Sequence, residues 1–380
     1  MEQHQHPTIL IDASDIDKPS GGRTAVLELF HSLFARQPNW QYVVLVSRRE
    51  PDFEPFPYVR QLVIPFRNRL LERLWVQLAV WYFAWVKRVE IVHFARTLAG
   101  IAWPAKSVLT VFDLTTLRHP ELHSRAAVWF WRYLHPVLMR WTDRLIAISH
   151  DVAHDLVREL HLPPEKIEVV YCAPQSVFED PISPQDREDV RRKHGLPTRY
   201  MLFVGMLARK KNLPTLIQAL HVLKESDYDF PPLVIAGRRY RQSDDVAIFE
   251  QICSLELESD VQYIGPVESE DLPGLYSGAE VFVFPSLHEG FGIPCLEAMK
   301  CRVPVIAARS GAVPEVVGDA ALLVENPTDA RMLAQAICQV LDDASLRQVL
   351  VDRGIARAQL FSWPRLADQV LTLYRRLLEL

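Results

Sequence analysis

The chain has 380 residues with 49% hydrophobic and 23% charged side chains, which indicates a globular protein of two domains rather than one. Its net charge of −5 argues against a nucleic-acid-binding protein, because such proteins need cations against the phosphate backbone. The five cysteines form no CxxC pair, which predicts reduced thiols and a cytoplasmic location. The polar start, MEQHQHP, predicts no secretory signal.

The first half of the chain alternates short apolar runs with helical patterns. This alternation predicts an α/β domain in which helices cover both faces of a parallel β-sheet. The predicted strands cover residues 8–13, 42–46, 62–65, 91–94, 108–112, 145–148 and 168–171. One helix is predicted to begin at Thr24, a capping residue. Two more are predicted over residues 125–141 and 152–160, the second with Ser149 as its cap.

Two neighbouring glycines, Gly21 and Gly22, lie between the first strand and the first helix. A strand, a glycine loop and a helix N-terminus together form an anion site, because unpaired N–H groups and the positive end of the helix dipole meet there. Adjacent glycines also make ordinary turns. The loop is therefore either a phosphate site or a plain turn.

One segment, residues 74–86 with the sequence LWVQLAVWYFAWV, is apolar enough to suggest a membrane contact. It is shorter than the roughly 20 residues that span a bilayer. The basic residues that flank it are Arg67, Arg69, Arg73, Lys87 and Arg88. The segment is either a buried helix or an interfacial helix that brings residues 67–88 to an anionic membrane surface.

A proline-rich linker over residues 172–186 places the domain boundary near residue 180. The predicted strands of the second domain cover residues 200–204, 233–236, 261–264, 281–284 and 303–307. The first of these strands leads to Arg209, Lys210 and Lys211, just before a helix that begins at Asn212. Three cations at the end of a strand suit a diphosphate, and a solvated basic turn is the alternative.

The most informative stretch is residues 281–301, VFVFPSLHEGFGIPCLEAMKC. A buried strand is followed by a loop with Gly290 and Gly292, and Pro294 suits the first turn of the next helix. Glu289 and Glu297 would repel a phosphate bound there, but they suit hydroxyl groups. Phosphate flanked by polyols describes a nucleoside diphosphate sugar. An ordinary turn with two surface glutamates is the other interpretation.

These residues resemble a known family. Glu289 and Glu297, separated by seven residues and followed by Pro304-Val305-Ile306 and the segment 311–315, are similar to the signature of the retaining GT-B glycosyltransferases of family 4, many of them bacterial mannosyltransferases. The resemblance is strong over residues 199–330 and implies two doubly wound Rossmann-like domains facing across a cleft. The domains are expected over residues 1–180 and 181–362. A last helix over 363–380, with Ser362 as its cap, is expected to cross back to the first domain. The alternative is that this helix packs wholly on the second domain.

The resemblance also implies roles for single residues. Glu289 would bind the donor sugar, Glu297 the nucleotide ribose, and Lys211 the diphosphate, with Arg209 and Lys210 sharing a second cationic position. Backbone near the nucleotide sugar would come from the residues Gly21, Gly22, Gly237, Val267, Gly290, Phe291, Gly292 and Ile293.

Asp113 follows the fifth predicted strand and is a candidate catalytic residue by the same resemblance. Many relatives carry a histidine directly before this aspartate, whereas this chain has Phe112. His93 and His119 are the candidates to replace that histidine on the acceptor side.

No metal or other cofactor is expected. Asp15 and Asp17 match the DxD pattern by which another glycosyltransferase fold holds a divalent metal. We discount the match, since the glutamate signature is typical of the metal-free fold and three-residue matches are common by chance.

The function predicted is transfer of a hexose, mannose being favoured, from a GDP- or UDP-sugar to a saccharide or lipid-linked saccharide acceptor in polysaccharide biosynthesis. The enzyme is expected in the cytoplasm or peripheral on the inner face of the cytoplasmic membrane. Two alternatives stay open: a nucleotide-sugar 2-epimerase of the same fold, and a non-catalytic nucleotide-sugar-binding subunit, which Phe112 keeps in consideration.

Overall fold

The computed structural model describes residues 6–16, 21–66, 68–96, 98, 100–118, 120, 124–239 and 242–379. The chain forms two compact units. The N-terminal unit contains Met1–Ala173 together with Phe361–Leu380, and the C-terminal unit contains Pro174–Leu360. The division after Ala173 lies slightly before the position expected from the prolines, because the linker from Pro174 onward packs with the C-terminal unit.

The N-terminal unit is built on a seven-stranded parallel sheet. Its strands are β1 Thr8–Asp12, β2 Gln41–Val46, β3 Val59–Val63, β4 Ile91–Phe94, β5 Lys106–Val111, β6 Arg144–Ala147 and β7 Ile167–Val169. They lie in the order β3-β2-β1-β4-β5-β6-β7. β3 begins earlier than predicted, because Arg60 and Gln61 lie on a half-exposed edge strand whose polar residues interrupt the apolar signal.

Six helices of the described part of this unit lie between those strands along the chain. They are α1 Gly21–Arg36, α2 Arg69–Trp85, α3 Thr115–Arg118, α4 Arg125–Trp129, α5 His135–Trp141 and α6 His150–Leu160. The single helix predicted over 125–141 is interrupted by a π turn at Phe130–Leu134. α1 begins at Gly21, so Thr24 lies inside its first turn rather than at its cap. The Ser149 cap is confirmed, since its Oγ accepts a hydrogen bond of 3.1 Å from Val152 N.

The C-terminal unit carries a six-stranded parallel sheet. Its strands are β8 Met201–Val204, β9 Leu233–Ala236, β10 Val261–Gly265, β11 Val281–Phe284, β12 Val305–Ala308 and β13 Leu322–Val324. The order is β10-β9-β8-β11-β12-β13, so the chain reverses its direction across the sheet between β8 and β11. β13 was not predicted, because three residues at a sheet edge give too short an apolar run.

Eight helices follow one another along the described part of the C-terminal unit. They are α7 Pro184–Lys193, α8 Leu213–Glu225, α9 Gln242–Ser254, α10 Leu272–Ser277, α11 Ile293–Lys300, α12 Val313–Val317, α13 Ala330–Asp342 and α14 Ala344–Ala358. α8 and α13 pack against the sheet through buried side chains such as Leu216, Leu220 and Ile337. This apolar layer holds the strand ends, and the loops that follow them, in fixed positions.

The last helix, α15 Trp363–Leu378, packs against α1 of the N-terminal unit. Its apolar face is buried, and Tyr374 stacks on Trp40 with ring centroids 6.4 Å apart. Asp368 forms an ion pair with Arg36. Ser362 occupies the cap position, but its side chain makes no capping hydrogen bond, contrary to prediction.

His93 has a structural position rather than the acceptor-side position predicted for it. It is completely buried in β4, with Nδ1 bonded to the hydroxyl of Tyr374 and Nε2 lying 2.8 Å from Thr110 Oγ1. Its ring also contacts the edge of Phe30. Both ring nitrogens are thus used inside the core. The end of a buried strand cannot be distinguished from a site edge in sequence alone.

Acid should weaken the N-terminal unit through this histidine. Burial lowers the pKa of His93 from 6.5 to about 3, so between these values the unfolded chain binds a proton that the folded chain does not. Stability is therefore unaffected above 6.5 and falls with pH below it, by about 1.4 kcal/mol per pH unit. The free energy of unfolding, measured with urea at several pH values across this interval, should change less steeply with pH in His93→Gln than in wild type. His154→Gln, which replaces an exposed histidine, should keep the wild-type dependence on pH. The same pH dependence in all three proteins would contradict the assignment to His93.

Candidate functional site

Two neighbouring strands of the C-terminal sheet place the predicted site. β8 and β11 pair in parallel at the point where the strand order reverses. Loops that leave such a pair diverge and leave a crevice beyond the strands' carboxyl ends, where ligands bind in open α/β sheets. Lys211 follows β8, and Glu289 follows β11.

These two side chains meet. Lys211 Nζ donates a hydrogen bond of 2.7 Å to Glu289 Oε1, and the side chains are only 12% and 11% exposed. The same Nζ lies 4.8 Å from the ring centroid of Phe284, the last residue of β11, in a cation–π contact. The cation and the carboxylate that the sequence predicts as catalytic partners are therefore in direct contact.

The carboxylate of Glu289 stays charged in this environment. Burial would raise its pKa, but the nearby ammonium groups of Lys211 and Lys210 hold the pKa below its usual value. Because the pair is almost enclosed, removing one partner would leave the other charge without compensation. The site thus presents one buried cation and one buried acceptor side by side.

The three cations form a tight turn. Arg209, Lys210 and Lys211 make one turn of 3₁₀ helix, in which Arg209 is exposed, Lys210 is half-buried and the side chain of Lys211 is nearly enclosed. Asn212 follows at φ +58° and makes no capping bond to α8, in contrast to prediction. Its Nδ2 instead donates to the carbonyls of Pro285 and Pro327, at 3.0 and 2.6 Å. This residue ties the cationic turn to the loop after β11.

The loop from Glu289 to α11 has the geometry that the glycines suggested. Gly290 and Phe291 are buried, and Gly292 adopts φ +104° directly before α11, a conformation that favours glycine. Ile293 and Pro294 form the first turn of that helix. The N-terminus of α11 therefore lies at the carboxyl edge of the sheet, where the positive end of the helix dipole would stabilise an anion.

The loop after β12 forms hydrogen bonds with the loop that carries Glu289. Ala312 N donates to Glu289 O at 3.0 Å, and Ser310 Oγ donates to Ser286 O at 2.6 Å. A Cβ on Gly311 would approach Glu289 O to 2.4 Å, so only glycine allows this approach. The family-like segment 311–315 therefore has a mechanical role, since it holds the backbone of Glu289.

Glu297 lies in α11, the helix that follows this loop, and accepts hydrogen bonds from two residues that the sequence did not identify. Its Oε1 accepts from Gln175 Nε2 at 3.1 Å, and its Oε2 accepts from Tyr276 Oη at 3.0 Å. Burial raises the pKa of Glu297, which these two hydrogen bonds partly offset. Gln175 lies in the proline-rich linker and Tyr276 in an apolar helix, so neither carries a sequence signal for a polar site.

The other predicted donor residues of this unit lie on neighbouring strands. Gly237 follows β9 and packs so closely on the loop after β8 that an added Cβ would lie 1.9 Å from Gly205 O. Tyr263 Oη donates to Gly237 O at 2.9 Å. Val267 follows β10, the edge strand, and is half-buried. Gly237 is thus required by packing, and the structure places Val267 two strands away from β8.

The N-terminal unit has its own reversal point, between β1 and β4. Gly21 and Gly22 begin α1 after β1, and a Cβ on Gly22 would lie 3.2 Å from Nη2 of Arg96, which follows β4. Arg96 is a further cation at this position, and no sequence motif marks it. Asp113 lies in the loop after β5. His119, Asp17 and the side chain of Asp15 fall outside the described part of the chain.

Comparison with known proteins identifies the family of the chain. The family described as "Glycosyl transferases group 1" matches residues 186–357, and "Glycosyltransferase Family 4" matches residues 19–173. The O-antigen chain mannosyltransferase B of Escherichia coli is 34% identical over 276 residues, which cover 72% of this chain and 71% of that protein.

Solved structures show the same architecture. Sucrose-phosphate synthase from Thermosynechococcus elongatus superposes with a TM-score of 0.81 at 22% identity, covering 98% of this chain and all of the other. Anabaena Alr3699/HepE in complex with UDP-glucose gives 0.77 at 19% identity, with 98% and 100% covered. The fold is GT-B, with two Rossmann-like parallel-sheet domains. The chain belongs to the group 1, family 4 glycosyltransferases and is a glycosyltransferase similar to bacterial mannosyltransferases.

Proposed function

We propose that this enzyme transfers a hexose, with mannose favoured, from a nucleoside diphosphate sugar to a saccharide or lipid-linked saccharide in polysaccharide biosynthesis. The observation that carries the proposal is the contact between Lys211 and Glu289 at the strand reversal point. A cation beside a carboxylate suits the junction of a diphosphate and a sugar, because the first needs positive charge and the second needs acceptors for hydroxyl groups.

The chemistry breaks the bond between the anomeric carbon and the phosphate oxygen. Negative charge grows on the departing diphosphate, and the sugar carbon becomes electron-deficient. Lys211, helped by Arg209, Lys210 and the N–H groups at the start of α11, stabilises the leaving charge through preorganised electrostatics. We assign no divalent metal to this step, since cations of the chain occupy that role.

Glu289 orients the sugar through its hydroxyl groups, and Glu297 holds the ribose. The proposed mechanism retains the anomeric configuration and has no covalent protein intermediate. The leaving phosphate accepts the proton of the incoming hydroxyl as the new glycosidic bond forms. Asp113 is the residue we assign to the sugar or acceptor from the N-terminal unit.

Relatives guide the choice of donor. The E. coli relative is named for mannosyl transfer to the O-antigen chain, which favours a mannose donor and a polysaccharide product. The Anabaena structure contains UDP-glucose, so UDP sugars stay in the comparison. GDP-mannose is the donor that we place first.

The test is release of nucleotide from a panel of GDP- and UDP-sugars by the purified chain, with and without saccharide acceptors. We expect GDP release from GDP-mannose to rise when an acceptor is added, to continue in EDTA, and to give an α-linked product by NMR. Acceptor-independent formation of the 2-epimer would support an epimerase instead. Nucleotide-sugar binding with neither hydrolysis nor transfer would support a non-catalytic subunit.

We also propose a peripheral membrane contact through residues 67–88. Among the described residues, no helix is both long and apolar enough to cross a bilayer. α2 buries Val76 and Val80 in the core and exposes Leu74, Leu78 and Trp85 on its other side. It is therefore part core helix and part apolar surface, which combines the two interpretations of the sequence. An apolar surface beside Lys87 and Arg88 suits the headgroup region of an anionic bilayer.

A further inference from the structure

A second apolar surface lies on the helical segment 125–141. Four large side chains are exposed there at a spacing of four residues: Trp129 is 59% exposed, Tyr133 60%, Val137 40% and Trp141 65%. Buried residues of the same segment, such as His135 and Met139, anchor its other face. We call these four residues the aromatic stripe. Two exposed tryptophans and a tyrosine on one segment form an apolar patch of the kind that marks an interaction surface.

The π turn keeps the stripe aligned. In a regular α-helix, residues four apart drift by about 40° around the axis, so four such residues would spread over a third of a turn. The π turn at Phe130–Leu134 closes hydrogen bonds to the fifth residue and holds more residues per turn, which reverses the drift at its position. The stripe therefore stays on one side of the segment, as a flat partner requires.

The charged side chains of the segment itself all have one sign. The segment from Arg125 to Trp141 contains no aspartate or glutamate, and Arg125, Arg132 and Arg140 are exposed. A segment with exposed amphipathic aromatic rings, exposed arginines and no acidic residue of its own matches the interface of an anionic bilayer.

The stripe and α2 lie on the same face of the N-terminal sheet. Parallel crossovers are right-handed, so segments that carry the chain across the sheet in one direction lie on one face. The step from β3 to β4, through α2, and the step from β5 to β6, through 125–141, run in the same direction. The step from β1 to β2 through α1, against which α15 packs, runs the other way.

We propose that the aromatic stripe and the exposed side of α2 form one membrane-docking face, and that the stripe supplies most of its affinity for anionic lipid. This deepens the proposed function, since an enzyme lying flat on the bilayer reaches a lipid-linked acceptor without leaving the surface. Trp103, which is exposed and packs edge-on against Trp85 at 4.8 Å, adds to the α2 side of that face.

The test is co-sedimentation with vesicles of phosphatidylcholine alone and of phosphatidylcholine with phosphatidylglycerol. Wild type should bind the anionic vesicles, and the variant Trp129→Ser/Tyr133→Ser/Trp141→Ser should bind them at least about tenfold more weakly. Arg125→Gln/Arg132→Gln should lose the preference for phosphatidylglycerol. The control Val349→Ser/Leu360→Ser, which replaces exposed apolar residues of the C-terminal unit, should bind as wild type.

Three results would overturn the proposal. Wild type would fail to bind anionic vesicles; the stripe variant would bind normally while Leu74→Ser/Leu78→Ser alone lost binding; or wild type would be a dimer that the stripe variant turns into a monomer, which would assign the stripe to a second copy. Nucleotide release with a soluble acceptor is measured in parallel on every variant. If wild type releases no nucleotide in this assay, the proposed function is contradicted, whereas the vesicle result still stands.

Discussion

Replacing Lys211 with alanine should lower the rate of sugar transfer by about two to three orders of magnitude, the cost typical of removing a preorganised charge from a developing anion. The lysine is nearly enclosed and bonded to Glu289, so little water can substitute for it. Single-turnover assays with the best donor of the panel measure the effect. Arg209→Ala removes an exposed cation of the same turn and should cost far less.

The variant also leaves Glu289 buried without its partner, so it should lower stability as well as activity. Thermal unfolding of Lys211→Ala should therefore be compared with that of Lys211→Met/Glu289→Gln, in which the pair is neutral. We expect the double variant to recover most of the lost stability and none of the lost activity. Transfer at close to the wild-type rate by either variant would remove Lys211 from the mechanism.

Glu297→Ala should weaken nucleotide binding by about 10- to 100-fold, the value of one hydrogen bond to a charged group. Calorimetric titration with the free nucleotide measures this directly. Glu297→Gln tests the charge while leaving hydrogen-bonding atoms in place. Tyr276→Phe removes only the hydroxyl that positions Oε2 and should have a smaller effect in the same direction. Unchanged nucleotide affinity in Glu297→Ala would leave Glu297 only as a structural anchor for Gln175 and Tyr276.

The pH dependence of binding gives an independent check on Glu297. Because burial raises the pKa of this carboxyl, it takes up its proton at a higher pH than an ordinary glutamate. Nucleotide affinity that depends on the charged form should then fall as the pH drops through that raised pKa. The fall should disappear in Glu297→Gln, and a dependence shared by wild type and variant would place it on another group.

The central part of the site could be read from the sequence because its residues are close along the chain or follow strand ends. Lys211 and Glu289 lie in the loops that follow two apolar runs, and parallel strands bring such loops to one edge of the sheet. Gly292 and Pro294 mark the start of a helix by local chemistry alone. The prediction of an acceptor-side position for His93 rested on its place at the end of a predicted strand. Such a place is equally typical of a core residue, and only the contacts with Thr110 and Tyr374 show that its ring lies in the core.

Local patterns by themselves thus determined the α/β class and twelve of the thirteen strands in the described part of the chain, because each depends on periodicity within a few residues. The resemblance to a known family added the pairing of the cationic turn with the glutamate loop. Tertiary structure alone decided what depends on packing between distant segments. It placed Gln175 and Tyr276 on Glu297, used Asn212 as a tie between loops, and left Trp129, Tyr133 and Trp141 exposed. The reason is that the apolar face of a helix shows in its sequence, whereas the direction in which that face points is set by the sheet beneath it.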